Sequence, residues 1–121
     1  MATEAILHNL SVPTNSDMSA NQYKAVNISS TGFCVLSTAA KNIDAVLQNN
    51  PASGDTATVA IFGVSKVILS GTVANGALME VGSSGTFVTI ASGTAVAKAM
   101  EAGVSGNIIT ALMLKSNAVY A

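Results

Sequence analysis

The sequence predicts an all-β domain, a small barrel or sandwich. Three observations carry that expectation. Clusters of Gly, Ser, Asn, Asp and Pro punctuate the chain about every 8 to 12 residues, the spacing of short strands joined by turns. The runs between them are rich in Val, Ile and Thr, whose branched side chains suit a pleated surface. Several of those runs alternate with period two, as a half-buried strand requires.

The first 20 residues are polar and broken by Pro13, Asn15 and Asp17, so they read as an irregular N-terminal arm. Ile6, Leu7, Leu10 and Val12 form a short apolar patch on it, the residues with which the arm would dock. Tyr23 to Ile28 alternates and reads as a strand. Ser29-Ser30-Thr31-Gly32 is a turn, and Phe33 to Thr38 completes a hairpin. Ile43 to Gln48 is a third strand. Asn49-Asn50-Pro51-Ala52-Ser53-Gly54-Asp55 is the strongest turn signal in the chain. Thr56 to Phe62 places Ala57, Val59 and Ile61 on one side. Gly63 is expected to end that strand, with Val64 to Ser70 forming another.

Gly71 to Gly76 is a loop. Leu78 to Val81, the turn Gly82-Ser83-Ser84-Gly85, and Thr86 to Ile90 make a further hairpin. Ala95 to Ala102 is ambiguous: its Ala, Lys, Met and Glu favour a helix, while its alternation favours a strand. After the turn 103–107, Ile108 to Leu114 is a clear strand. The chain therefore divides into an arm (1–20), a β-domain (21–115) and a polar tail (116–121).

An internal echo resolves the ambiguous segment. Ala45-Val46-Leu47-Gln48, a turn ending Gly54-Asp55, and Thr58-Val59-Ala60-Ile61 are matched by Ala99-Met100-Glu101, a turn ending Gly106-Asn107, and Thr110-Ala111-Leu112-Met113-Leu114. Two equivalent hairpins in a pseudo-duplicated fold make 95–101 a strand.

Composition narrows the function. Charged residues are 9% of the chain, against roughly 25% in an ordinary soluble domain. The five cations are all Lys, there is no Arg, and the net charge is −1. Direct nucleic-acid binding, which needs clustered cations, is not expected. Ala, Ser, Thr, Gly and Val fill 68 of 121 positions and there is no Trp, leaving little bulk to wall a deep ligand pocket. Mean hydropathy is +0.52, yet no run of about 18 apolar residues exists to form a membrane-spanning helix. The N-terminus has no basic start followed by an apolar stretch, so no signal peptide is read and synthesis in a cytoplasm is expected.

The expectation is that the chain is not an enzyme and takes no cofactor or metal. No Cys and His cluster has zinc spacing, no Gly-x-Ser-x-Gly elbow occurs, and no Gly-rich loop leads into Lys-Ser or Lys-Thr. Cys34, in Gly32-Phe33-Cys34-Val35-Leu36, reads as a buried thiol acting as a small hydrophobe. His8 reads as a solvated or interface residue, because a general base needs partners in close geometry. Asp55 reads as a turn-forming residue. Glu80 and Lys66 read as solvated or edge-guarding charges. Lys98-Ala99-Met100-Glu101 loosely resembles the modified lysine of biotinyl or lipoyl carrier domains. Those present Lys at a tight turn, whereas Lys98 lies within a strand.

The pattern Ile43-Asp44-Ala45-Val46-Leu47, Gly54 to Val59, Gly63-Val64, Gly71 to Leu78, Gly85, Val96 to Met100 and Gly106 to Ile109 resembles the small capsid decoration, or cement, proteins of tailed bacteriophages that fold like the lambda-type head-stabilising protein. The likeness covers roughly residues 17 to 114 and lies in Gly and apolar positions. Asp44 and Ala97 stand where that family commonly has Gly. The resemblance implies a β-tulip or small β-barrel body and homotrimers on the outside of the virion's capsid. It also implies an N-terminal arm reaching the major capsid protein, and the apolar patch Ile6, Leu7, Leu10 and Val12 reads as that arm's contacts. Another virion module, such as a tail, fibre or adhesin domain, is the second reading.

Overall fold

The structure, a computed structural model, describes residues 5–39 and 41–114, apart from the side chains of Ala5 and Leu7. The polar tail expected over 116–121 lies outside the described residues. The described chain is all-β, as the turn spacing predicts. Its strands are β1 (Ala5–Pro13), β2 (Ala25–Ile28), β3 (Cys34–Leu36), β4 (Ala45–Leu47), β5 (Thr56–Ile68), β6 (Leu78–Val81), β7 (Phe87–Thr89), β8 (Ala97–Ala99) and β9 (Ile108–Met113). One 3-10 turn, Ser83–Gly85, joins β6 to β7. Neighbouring strands pair antiparallel in a sheet that curls into a half-barrel, in the order β3-β2-β4-β5-β9-β8-β6-β7, with β1 also on β5.

That order contains a duplication. β3-β2-β4-β5-β1 forms a first lobe and β7-β6-β8-β9-β5 a second, in the same arrangement. The offsets between counterparts are regular. Ala45 opens β4 and Ala97 opens β8, while Thr56 opens β5 and Ile108 opens β9, both 52 positions later. β2 and β3 recur as β6 and β7 at 53 positions (Ala25 to Leu78, Cys34 to Phe87). The echoed hairpins of the sequence are thus β4–β5 and β8–β9, and the ambiguous segment is strand β8. The loops repeat as well. Val73 and Gly103 exchange backbone hydrogen bonds at 2.9 Å each way, and Met18 donates to Pro51 at 2.9 Å at the corresponding place in the first lobe.

β5 belongs to both lobes. Val64 pairs with Ala5 on one edge and Leu112 on the other. Gly63, expected to end a strand, lies inside it at φ +106°. The register of β1 shifts on either side of His8, opposite this point. A bulge increases local twist, and glycine adopts the positive φ without a Cβ penalty. The strand bends there and continues into the second lobe.

The irregular arm is also corrected: Ala5–Pro13 is a strand paired with β5 along its length. Its alternation is hidden by the bulge at His8, and its outer side is solvated. Among its described side chains, Ile6 and Val12 are the ones that join the apolar cores.

Each lobe has its own interior. Val12, Met18, Val26, Cys34, Ala45, Leu47, Ala57 and Val59 fill the first. Their counterparts Val67, Val73, Met79, Phe87, Ala97, Ala99, Ile109 and Ala111 fill the second. The reverse face of the first lobe, the cross-strand row Ala25, Val46, Ala60, joins the second lobe's cluster and packs the lobes together. Among the described residues no buried side-chain polar atom lacks a hydrogen-bond partner, as a settled core requires.

Candidate functional site

The four residues singled out on the arm separate in the structure. Val12 is 4% exposed and sits in the first lobe's interior. Ile6 is half-buried against the larger cluster. Leu10, opposite Val59 and on the same face of β1 as Val12, is 38% exposed. Leu7's side chain lies outside the described residues. Of the described three, Leu10 is the one whose surface a partner reaches without displacing β1.

β1 offers its backbone as well. The Thr14 N–H donates to Asp55 O at 3.1 Å, and Thr14 O accepts from Gly54 N at 3.2 Å, so both point towards the β5 side. Antiparallel alternation then turns the N–H and C=O of Ser11 and Asn9 the other way. No described strand pairs with that edge. Pro13 supplies no donor there, which ends the edge at the turn. Sequence reasoning found the apolar residues of this segment but missed the edge, which exists only because β1 joins β5.

A second surface lies on the outer face of the second lobe. Leu78, Lys98 and Leu112 form one cross-strand row over β6, β8 and β9. Leu78 and Leu112 are 43% and 40% exposed, and Met100 beside them is 50% exposed. A shallow open depression of about 350 Å³ runs between Asn75, Gly76, Lys98, Ala99, Met100 and Leu112. Exposed apolar side chains grouped on one face mark a contact surface more often than singly scattered ones. The 52-position offset aligns Leu112 and Lys98 with Ala60 and Val46, which are buried; the sequence echo pairs Leu112 with Ala60 but begins at Ala99, after Lys98.

The ionisable groups perform structural tasks. Asp55 accepts from Ala52 N at 3.2 Å across its turn, the role expected of it. Glu80 accepts from Gly93 N at 2.6 Å. The Lys66 ammonium stands 5.7 Å from the Tyr23 ring centre, within cation–π reach. Hydrogen bonds from Ser19 hold the Asp17 carboxyl below its ordinary range. Cys34 is fully buried, and loss of hydration pushes its thiol up to about 11, so it is a poor nucleophile. His8 is exposed in β1 opposite Phe62. Lys98 stands inside β8 and not at a hairpin tip, which removes the carrier-domain geometry. Among the described residues no three His, Cys, Asp or Glu side chains gather as a metal site.

No protein-family model matches the sequence, and no curated protein does. A solved structure does share the fold: the N base of the head fibre gp8.5 of bacteriophage phi29. It superposes with a TM-score of 0.75 at 18% sequence identity, over 93% of this chain and 98% of that chain.

Proposed function

We propose that this chain is a structural protein of a phage virion, a decoration or cement protein. It binds the outer surface of the assembled head as a homotrimer and stabilises it by clamping neighbouring major capsid subunits. The observation that carries the reading is the open edge of β1 with Leu10 exposed beside it, on a fold shared with a phage head-fibre base. An edge strand accepts an extended partner segment through main-chain hydrogen bonds and needs few specific side chains. Repeated weak contacts of that kind then act at high effective concentration on a lattice. A fibre-base role on the head is the second reading, favoured by what the fold neighbour is.

The test is binding to expanded heads and to free capsid subunits. Removing residues 1–20 is unsuitable, because it takes β1 and Val12 out of the fold. Ser11→Pro deletes an outward N–H while sparing the pairing with β5, and Leu10→Asp places a charge on the adjoining surface. Expected is decoration of heads by the wild type, negligible binding to free subunits, and weaker decoration by both variants. Undiminished decoration by both variants rejects the β1 edge as the contact. Failure of the wild type to bind any head rejects the decoration reading.

A further inference from the structure

We infer that the outer face of the second lobe, centred on Leu78, Lys98 and Leu112, is covered in the assembled protein by the β2–β3 turn of a second copy of this chain. The template for this contact lies inside the chain. The β6–β7 turn of the second lobe seats on β2 of the first: Gly85 is buried, and a Cβ added there would stand 2.9 Å from Ala25 O and 3.1 Å from Leu36 Cδ2. Each participant has a counterpart 53 positions away in the duplication. For Gly85 it is Gly32 in the β2–β3 turn, which shares the left-handed backbone, φ +89° against +78°. For Ala25 it is Leu78.

The counterparts are exposed. Gly32 has nothing within 4 Å of where its Cβ would lie, and Leu78 is 43% exposed. The whole row behaves alike. Ala25, Val46 and Ala60 are at most 1% exposed beneath the second lobe, while Leu78, Lys98 and Leu112 face outward. Repeating the lobe-on-lobe contact between two molecules brings Gly32 of one onto Leu78 of the other.

Charge supports a second copy as the occupant. Val46 and Val96 both lie in the cluster between the lobes. Their counterparts, 52 positions away, are Lys98 and Asp44, both exposed. The repeated contact therefore brings Lys98 of one molecule and Asp44 of the next into one interface, a cation and an anion where the internal cluster holds two valines. Asp44 is anchored beside the docking turn by accepting from Ile28 N at 2.8 Å. Such a pair fixes register and partner choice between copies. The surfaces joined are unlike, so each molecule offers one of each, and the assembly is a ring or a filament. The contact needs no capsid, so its failure and that of the decoration reading are separately visible.

The test uses the purified full chain. Thr31→Cys and Leu78→Cys are made separately, mixed under mild oxidation and run without reductant, with sedimentation measured alongside. Expected is a linked pair only in the mixture, a wild type that sediments above its 12.1 kDa monomer, and self-association about tenfold weaker or more for Lys98→Glu. Adding Asp44→Lys to Lys98→Glu restores association. A wild type monomeric at every concentration overturns the inference. So does a Leu78→Cys protein that links chiefly to itself, and so does assembly unaffected by Lys98→Glu with no link in the mixture.

Discussion

The backbone N–H of Thr110 donates to a carboxylate oxygen of Glu101 at 2.9 Å, and that bond is a copy of another. Fifty-two positions earlier, the N–H of Thr58 donates to Asn49 Oδ1 at 3.0 Å. The two acceptors differ in charge but place an oxygen at the same point of the same hairpin. Glu101→Gln should therefore keep the hairpin and leave the melting temperature near wild type at neutral pH. Glu101→Ala removes the acceptor and should lower it by a few degrees.

The same bond sets a pH dependence. The hydrogen bond from Thr110 holds the Glu101 carboxyl below its ordinary value of 4.5. A carboxyl depressed by folding stabilises the native state above its unfolded pKa, and the gain is lost as pH falls through the folded value. The stability advantage of wild type over Glu101→Ala should thus hold at pH 7 and shrink below about pH 4.5. Melts of both proteins from pH 7 to pH 3 check this. An unchanged gap across that range contradicts it.

Gly32 and Gly85 should respond differently to alanine in the isolated monomer. Both have positive φ, which costs a non-glycine residue about 1–2 kcal/mol. Gly85 adds a Cβ 2.9 Å from Ala25 O, and overpacking of that kind costs about 1–3 kcal/mol more. Denaturant titration should show Gly85→Ala as clearly the worse.

Cys34 and its counterpart Phe87 fill the same place in the two lobes, both fully buried. Phe87→Ala should cost about 3–5 kcal/mol, the loss of a large core side chain and the cavity left behind. Cys34 should resist thiol reagents at pH 8 in the native protein and react once the chain is unfolded, because burial removes both access and thiolate. Rapid labelling without denaturant contradicts its placement.

Removal of residues 1–14 should destabilise the whole β-domain and not merely trim a tail. β1 covers an edge of β5, and Val12 belongs to the first lobe's interior. Expected is a lower melting temperature and aggregation through the uncovered edge of β5. Circular dichroism melts and light scattering of the truncated protein measure both.

Much of the fold is legible in the chain because strand and turn signals are local. The turn at 49–55, the alternation of Thr56 to Phe62 and the echo at 99–114 identify the hairpins directly. Gly63 misleads for the same reason: locally a glycine breaks a strand, but here pairing with β1 and β9 carries the strand through it. β1 is hidden because a bulge at His8 interrupts its alternation, so only its partner β5 reveals it. Val12, taken from the sequence as a contact residue, is claimed by the core through that pairing.

The sequence by itself determined that this is an all-β protein with a repeated hairpin and sparse charge, since each of those is written in residue type and short-range spacing. Tertiary structure alone decided which apolar residues became surface. Val46 and Lys98, or Ala60 and Leu112, hold equivalent places in equivalent hairpins. One of each pair is buried because the second lobe packs on the first, and the other is exposed because, among the described residues, nothing packs on the second. That asymmetry arises between distant segments, where local pattern carries no information.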